Sequence, residues 1–286
     1  MWVIRDVLTL AVVFLVLLFG VVMHVIVWII EKISGSRPTK LISGYVRGGM
    51  KLAWLMTGAK ATVIGTENIP TDRAALFVGN HRSLLDVILA GSLIPVPVGF
   101  IAKIELEKIP LLGFLMTDID CLFLDRTDNR QALKVILRAI DLMKEGHSMF
   151  VFPEGTRSKT EGEFLPFHAG SFKIATKPKA PIVPVTIVGM GDVLEDHFPK
   201  IKAARVVIEF GAPIETDSLS RDEQKELSER VRNLMMETYA RNKELIQTGI
   251  RPTVSRSDFC TGNREGSPGS VLNRTDPGVI AYEKKD

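Results

Sequence analysis

The chain has only two cysteines, Cys121 and Cys260, in 286 residues. They are far apart, with no CxxC and no other metal spacing, which argues against a disulfide framework and against a thiolate metal site. Cys121 sits in an apolar, strand-like run and reads as a small core residue, and the usage fits a reducing compartment. Charge of one sign is also scarce. The net charge is +3, Lys and Arg are spread out, and no basic–aromatic interleaving occurs, so nucleic acid is not an expected partner. No Gly-x-Ser-x-Gly elbow is present, and no internal repeat. The longest absence is of charge altogether: Val7 to Ile30 contains no Lys, Arg, Asp or Glu.

That run is long enough at helical rise to match a hydrocarbon core of about 30 Å. A cleaved signal peptide is the rival reading; the run is too long for an h-region, and no small-x-small site follows it. Lys32, Arg37, Lys40, Arg47 and Lys51 come after it against Glu31 alone. The positive-inside rule therefore puts the following domain on the cytoplasmic face of the membrane. His24, inside the run, reads as a tolerated polar residue. Residues 40–56 carry Leu41, Ile42, Tyr45, Val46, Leu52, Ala53 and Met56 at helical spacing, with Lys40, Arg47 and Lys51 on another side and Trp54 near the end. This predicts a basic amphipathic helix in the bilayer surface; the alternative is a core helix of the soluble domain. Gly44, Gly48 and Gly49 weaken any helix here. Residues 1–58 are thus expected to form the anchor.

From about Ala61 the pattern alternates. Strands are predicted at 62–64, 74–78, 98–102, 121–124, 148–152, 181–187 and 205–210. Helices are predicted after Ser83 and over 128–144, the latter capped by Asp128 and stopped by Gly146. Strands alternating with helices define an α/β domain, placed at 59–247. Ser220 to Glu223 is a capping-box pattern, and Leu227, Val231, Leu234, Met235 and Tyr239 give the following helix one apolar face. From 248 to 286, Ser, Gly, Pro, Arg and Asp dominate without periodicity, and a disordered tail is expected.

Two stretches carry the chemistry. Asn80-His81-Arg82-Ser83-Leu84-Leu85-Asp86 follows the strand-like run Ala74 to Val78 and opens a helix. With His81 in the turn and Asp86 in the first helical turns, the carboxylate can fold back onto the imidazole, fix its tautomer and free the other ring nitrogen as a base. Phe152-Pro153-Glu154-Gly155-Thr156-Arg157-Ser158 also follows a strand. It packs a carboxylate, a flexible Gly, hydroxyls and a guanidinium into one turn, a composition suited to a polyol phosphate. His147, His168 and His197 have no comparable setting, and His168 reads as structural. His81, Asp86 and Glu154 match no metal-ligand spacing, so neither a metal nor another cofactor is expected.

These residues resemble the membrane-bound glycerolipid acyltransferases, above all the 1-acyl-sn-glycerol-3-phosphate (lysophosphatidate) acyltransferases. Asn80 to Asp86 is similar to their His-x4-Asp motif. Lys103 to Leu106, Ile109-Pro110, Gly113 and Leu124-Asp125-Arg126 are similar to the second block, Phe152 to Ser158 to the Pro-Glu-Gly-Thr-Arg block, and Ile182 to Ile187 to the fourth. The likeness runs from about residue 60 to 215. One departure is Asp120, where the family usually carries Gly five residues before the Asp-Arg pair.

The resemblance implies a mixed sheet flanked by helices, with an N-terminal membrane-anchoring segment that either spans the bilayer or dips into one leaflet. It implies transfer of a fatty acyl group from acyl-CoA or acyl carrier protein to the sn-2 hydroxyl of a lysophospholipid acceptor, lysophosphatidate, giving phosphatidate. His81 would be the base and Asp86 its orienting partner, with no protein nucleophile; Ser83 is a weak candidate for acylation, lacking a base of its own. The oxyanion donors are expected among backbone N–H groups at the helix start beyond His81. Arg157 and Lys103, with Arg126 a further candidate, would bind phosphate, since a guanidinium grips it bidentately and an ammonium acts as a point charge. Glu154 would hold a glycerol hydroxyl or brace Arg157, with Gly155 and Thr156 beside it. Ile104, Leu106, Ile109, Leu111, Leu112, Phe114 and Leu115 are either an acyl groove or ordinary core. Acylation of another lysolipid or of glycerol 3-phosphate, and a non-catalytic membrane lipid-binding protein of the same fold, are the alternatives.

Overall fold

The computed structural model describes residues 2–248 and 279–281. An N-terminal helix α1 (Trp2–Ser34) turns back into α2 (Thr39–Thr57). There follow β1 (Lys60–Ile64), β2 (Leu76–Gly79), α3 (Leu85–Leu93), β3 (Val98–Lys103), α4 (Leu112–Asp118), β4 (Leu122–Leu124) and α5 (Asn129–Lys144). Then come β5 (Ser148–Val151), α6 (Ala169–Thr176), β6 (Ile182–Val188), β7 (Arg205–Phe210), α7 (Arg221–Thr248) and β8 (Val279–Ala281). The eight strands form one mixed sheet in the order β4-β3-β5-β2-β6-β7-β1-β8. Pairing is parallel from β4 through β6 and between β7 and β1, and antiparallel for β6–β7 and β1–β8.

The central strands are short apolar runs because both of their faces are covered. Phe77 of β2 and Phe150 of β5 point into one core, shared with α2 and α3. Leu76, Val78, Met149 and Val151 point into the other, closed by α5, α6 and α7. Leu227, Val231, Met235 and Tyr239 supply the buried face of α7, and its capping box is formed: Glu223 Oε2 accepts the Ser220 N–H at 2.8 Å and Ser220 Oγ the Glu223 N–H at 3.3 Å. Asp128 caps α5 through the N–H groups of Arg130 and Gln131.

The path of the chain sets the site. From β2 it crosses through α3, on the first core's face, to β3 on one side. From β5 it crosses through α6, on the opposite face, to β6 on the other side. Crossovers of one hand running in opposite directions must lie on opposite faces. At the adjacent carboxyl ends of β2 and β5 the loops therefore diverge, leaving a crevice where ligands bind in open α/β sheets.

Several expectations are revised. The 40–56 helix is not amphipathic toward the bilayer alone: Ile42 and Trp54 are buried, Tyr45 and Val46 pack on the core, and Leu41, Leu52 and Leu55 form the exposed stripe. Of its three glycines, Gly49 serves α1, since a Cβ there would lie 2.6 Å from Val16 Cγ1. His24 is not a bystander. Its Nδ1 lies 2.8 Å from Oδ2 of buried Asp118 on α4, whose Oδ1 accepts from Arg37 at 2.6 Å. His147, too, has a partner, with Nδ1 2.7 Å from Asp120 Oδ2. Asp120 occupies the left-handed region (φ +60°), which explains why glycine suits this position. It precedes β4, at the amino edge of the sheet and away from the crevice. Of the groove candidates, Leu115 is buried in the core while Phe114 and Ile109 are exposed. Cys121 is buried, and burial pushes its thiol up to about 12. The disordered tail expected from 248 starts too early, since α7 runs through Thr248, and residues 279–281 form the edge strand β8; its remaining residues, Cys260 among them, lie outside the described residues.

Candidate active site

Asn80 fixes the end of β2. Its side-chain N–H donates to the Ile187 carbonyl at 2.9 Å and its Oδ1 accepts the Ile187 N–H at 2.8 Å, tying the turn to β6. His81 follows, and its Nδ1 lies 3.0 Å from Asp86 Oδ2. The same oxygen accepts the backbone N–H groups of Arg82 at 2.8 Å and Ser83 at 2.7 Å. Asp86 is wholly buried, so three donors on one oxygen hold a charge that water does not reach. The imidazole is braced on its flat side by Phe152, with ring centroids 4.1 Å apart, and Phe152 rests on Phe150. With Nδ1 turned to Asp86, Nε2 has no hydrogen-bond partner among the described residues.

Glu154 enters from the β5 loop. Oε1 accepts the His81 N–H at 2.9 Å and Oε2 the Leu165 N–H at 3.1 Å. It does not brace Arg157. Burial raises the Glu154 pKa above the ordinary value of 4.5, opposed by those two N–H bonds. Gly155 takes φ +70° with its Cα facing the His168 ring, where a Cβ would lie 3.2 Å from Nε2. The turn therefore requires glycine for backbone shape as well as space. Beyond it the chain passes the first loop again, as the Ser158 N–H donates to the His81 carbonyl at 2.8 Å.

The predicted cationic residues are brought to one sheet edge but not to one point. Lys103 ends β3, is 57% exposed, and pairs with Glu105 at 2.7 Å. Arg126 follows β4 and is exposed, and Thr156 is exposed beside Arg157. Arg157 pairs with Glu195 at 3.1 Å. Ser83 is buried, with Oγ accepting the Leu85 N–H at 3.0 Å. The N–H groups beyond His81 are not free for an oxyanion: those of Arg82 and Ser83 bond Asp86, that of Leu84 bonds Glu195 at 2.9 Å, and that of Leu85 bonds Ser83.

Sequence reasoning missed a ring of charge around the pair. Arg82 is ion-paired to Asp196 and lies 3.6 Å from Glu161. Glu161 in turn accepts from the Tyr239 hydroxyl and, at 3.0 Å, from the Gly189 N–H. Burial and the Glu161 carboxylate both raise the Tyr239 pKa, so the phenol stays protonated. An open pocket of about 200 Å³ lies among His81, Arg82, Glu154, Glu161, Phe164 and Tyr239. Of Arg82, Glu161, Asp196 and Tyr239, only Arg82 carries a functional sequence signal, its place inside the motif.

A buried carboxylate meets one imidazole nitrogen at the carboxyl ends of parallel strands, an arrangement chemically able to accept a proton at the other nitrogen. Comparison with known proteins gives the class. Residues 60–188 match the family model "Acyltransferase". The chain is 31% identical over 203 residues to the 1-acyl-sn-glycerol-3-phosphate acyltransferase of Saccharomyces cerevisiae, covering 70% of this chain and 65% of that one. It is 32% identical to a probable enzyme of the same name from Mycoplasma pneumoniae, covering 73% of this chain and 82% of that one. The crystal structure of the 1-acyl-sn-glycerophosphate acyltransferase from Thermotoga maritima superposes with a TM-score of 0.63 at 28% identity, over 84% of this chain and 98% of that one. The chain belongs to the 1-acyl-sn-glycerol-3-phosphate acyltransferase family. It spans just under two thirds of the yeast relative's length and less than half of two chloroplast relatives'.

Proposed function

We propose that this protein transfers a fatty acyl group from an acyl thioester to the sn-2 hydroxyl of lysophosphatidate, giving phosphatidate. The observation that carries the reading is the His81–Asp86 pair, 3.0 Å apart with the carboxylate buried. His81 Nε2 takes the proton of the hydroxyl, the alkoxide attacks the thioester carbonyl, and the thiolate leaves. Asp86 holds the Nδ1–H tautomer and stabilises the imidazolium. Glu154 positions His81 through its main chain. Arg157, with Lys103 and Arg126 further along the same edge, attracts the phosphate, and Gly155 and Thr156 shape that loop. The mechanism gives no role to a metal or other cofactor. Both acyl-CoA and acyl carrier protein present the thioester that the mechanism needs.

The protein works at a membrane surface in this reading. An apolar helix long enough to cross a bilayer, Asp6–Ser34, supports attachment, and the basic residues after it support a cytoplasmic domain.

The test is kcat/KM of the purified protein in detergent against lysophosphatidate, other lysolipids, glycerol 3-phosphate and monoacylglycerol, with each donor in turn. Highest efficiency on lysophosphatidate, lost in His81→Ala, is expected. Preference for another acceptor would reassign the substrate; no transfer with any pair would leave a lipid-binding protein. Arg157→Lys keeps charge but loses the bidentate grip, and a loss of roughly ten- to a hundredfold per bond is expected with phosphate-bearing acceptors.

A further inference from the structure

Arg157, the guanidinium best placed for the acceptor's phosphate, is already occupied by an anion of the protein itself. Glu195 Oε1 lies 3.1 Å from Arg157 Nη1 and accepts the Leu84 N–H at 2.9 Å. Leu84 is three residues beyond His81. In lysophosphatidate the phosphate and the hydroxyl to be acylated stand on neighbouring carbons, so an anionic oxygen beside Leu84 suits an acceptor whose hydroxyl faces His81. Glu195 is 14% exposed, and its second oxygen is buried without a hydrogen-bond partner among the described residues. The carboxylate therefore uses only half of its accepting capacity there, where a phosphate presents three oxygens. Glu195 opens a single 3₁₀ turn, Glu195–His197, in which Asp196 pairs with Arg82 and after which Phe198 is 76% exposed.

We propose that Glu195 is a specificity-determining residue: its carboxylate fills the anion subsite made by Arg157 and the Leu84 N–H, and an acceptor's phosphate must displace it. The inference rests on the proposed reaction. A phosphate replaces the carboxylate on both donors and leaves Arg157 neutralised. A phosphate-free acceptor offers no anion to replace the carboxylate, so Glu195 stays on Arg157 and the Leu84 N–H. The cost of displacement therefore falls on phosphate-bearing acceptors, and Glu195 sets how far their affinity exceeds that of phosphate-free ones.

The experiment compares full-length wild type, Glu195→Gln and Glu195→Ala. Glu195→Gln keeps a carbonyl for the Leu84 N–H and so guards against misfolding. KM for lysophosphatidate is expected to fall by roughly threefold to tenfold with kcat little changed, because the competent open form is no longer a minor fraction. The advantage of lysophosphatidate over monoacylglycerol is expected to grow by the same factor, since monoacylglycerol has no anion to place there. Binding of inorganic phosphate, followed by titration calorimetry without donor or lipid, should tighten in both variants, and that gain should vanish when Arg157→Ala is added. A raised KM for lysophosphatidate, unchanged phosphate affinity, or a gain that survives Arg157→Ala would each overturn the proposal. If wild type acylates no acceptor, the proposed function fails, while the phosphate titration still decides whether Glu195 occupies an anion subsite.

Discussion

Glu154 Oε1 holds His81 by its backbone N–H, 2.9 Å away, while the imidazole itself turns to Asp86. The two loops are thus joined through main chain, and the ring remains free to accept a proton. His81→Ala should therefore fold, since the Glu154 and Ser158 bonds to its backbone survive, and turnover should drop by on the order of 10²- to 10⁴-fold. Asp86→Asn should also lower turnover sharply, because a neutral amide stabilises imidazolium poorly. Wild-type rates in a folded His81→Ala would remove the histidine from the mechanism; an unaffected Asp86→Asn would reduce Asp86 to a bracket for the turn.

Glu154 gives a pH prediction. Its folded-state pKa is raised above 4.5 by burial, so the native state holds this proton more tightly than the unfolded chain does. The stability linked to it is full below the unfolded value and is lost as pH rises through the raised one. Denaturant unfolding in detergent at a series of pH values should show wild type losing stability from about pH 4.5 upward relative to Glu154→Gln. The amide cannot serve both the His81 and Leu165 N–H groups, so the variant should be less stable at acid pH by about 1–3 kcal/mol. Parallel pH curves for the two proteins would contradict the burial argument.

Asp120 tests the amino edge of the sheet. An Ala at φ +60° would meet the left-handed penalty without the His147 pair, so Asp120→Ala should cost about 1–2 kcal/mol. Asp120→Gly relieves the backbone and loses only a partly exposed pair, with little net change. Neither should alter kcat/KM, because the site lies at the opposite edge. A large activity loss in Asp120→Gly would show that this turn communicates with the acceptor.

What was legible in the sequence follows from range. The runs Leu76 to Gly79 and Ser148 to Val151 announce themselves because both faces are buried, and parallel pairing places their loops side by side whatever follows. His81 and Asp86 are five residues apart, so a local turn suffices to join them. Glu195 reaches Arg157 across 38 residues, Tyr239 reaches Glu161 across 78 and Asp118 reaches His24 across 94. Such pairs exist only once the sheet is assembled, and nothing in local periodicity announces them. The short helices α4 and α6 are too brief to establish a period. For α2 the period was visible, but its apolar residues divide between core and surface, and only its packing against α3 and α1 decides which are which.

Two neighbouring glycines of α2 make that division measurable. A Cβ on Gly49 would lie 2.6 Å from Val16 Cγ1 of α1, whereas one on Gly48 would meet nothing within 4 Å. Val16 is stiff at χ1 and yields little. Gly49→Leu must therefore push α1 away, straining the contact of Tyr45 with the Val16 carbonyl. Overpacking of this kind costs about 1–3 kcal/mol, and unfolding in mild detergent should shift by that amount. Gly48→Leu lies on the exposed stripe with Leu41, Leu52 and Leu55, and its helix propensity is better than that of glycine, so it should be neutral or stabilising. Both variants should remain with the membrane after a carbonate wash, because α1 keeps its apolar length. Equal destabilisation by the two substitutions would mean that α1 does not dock on α2 through Gly49. Release of either protein by carbonate would mean that α1 alone does not hold the chain to the bilayer.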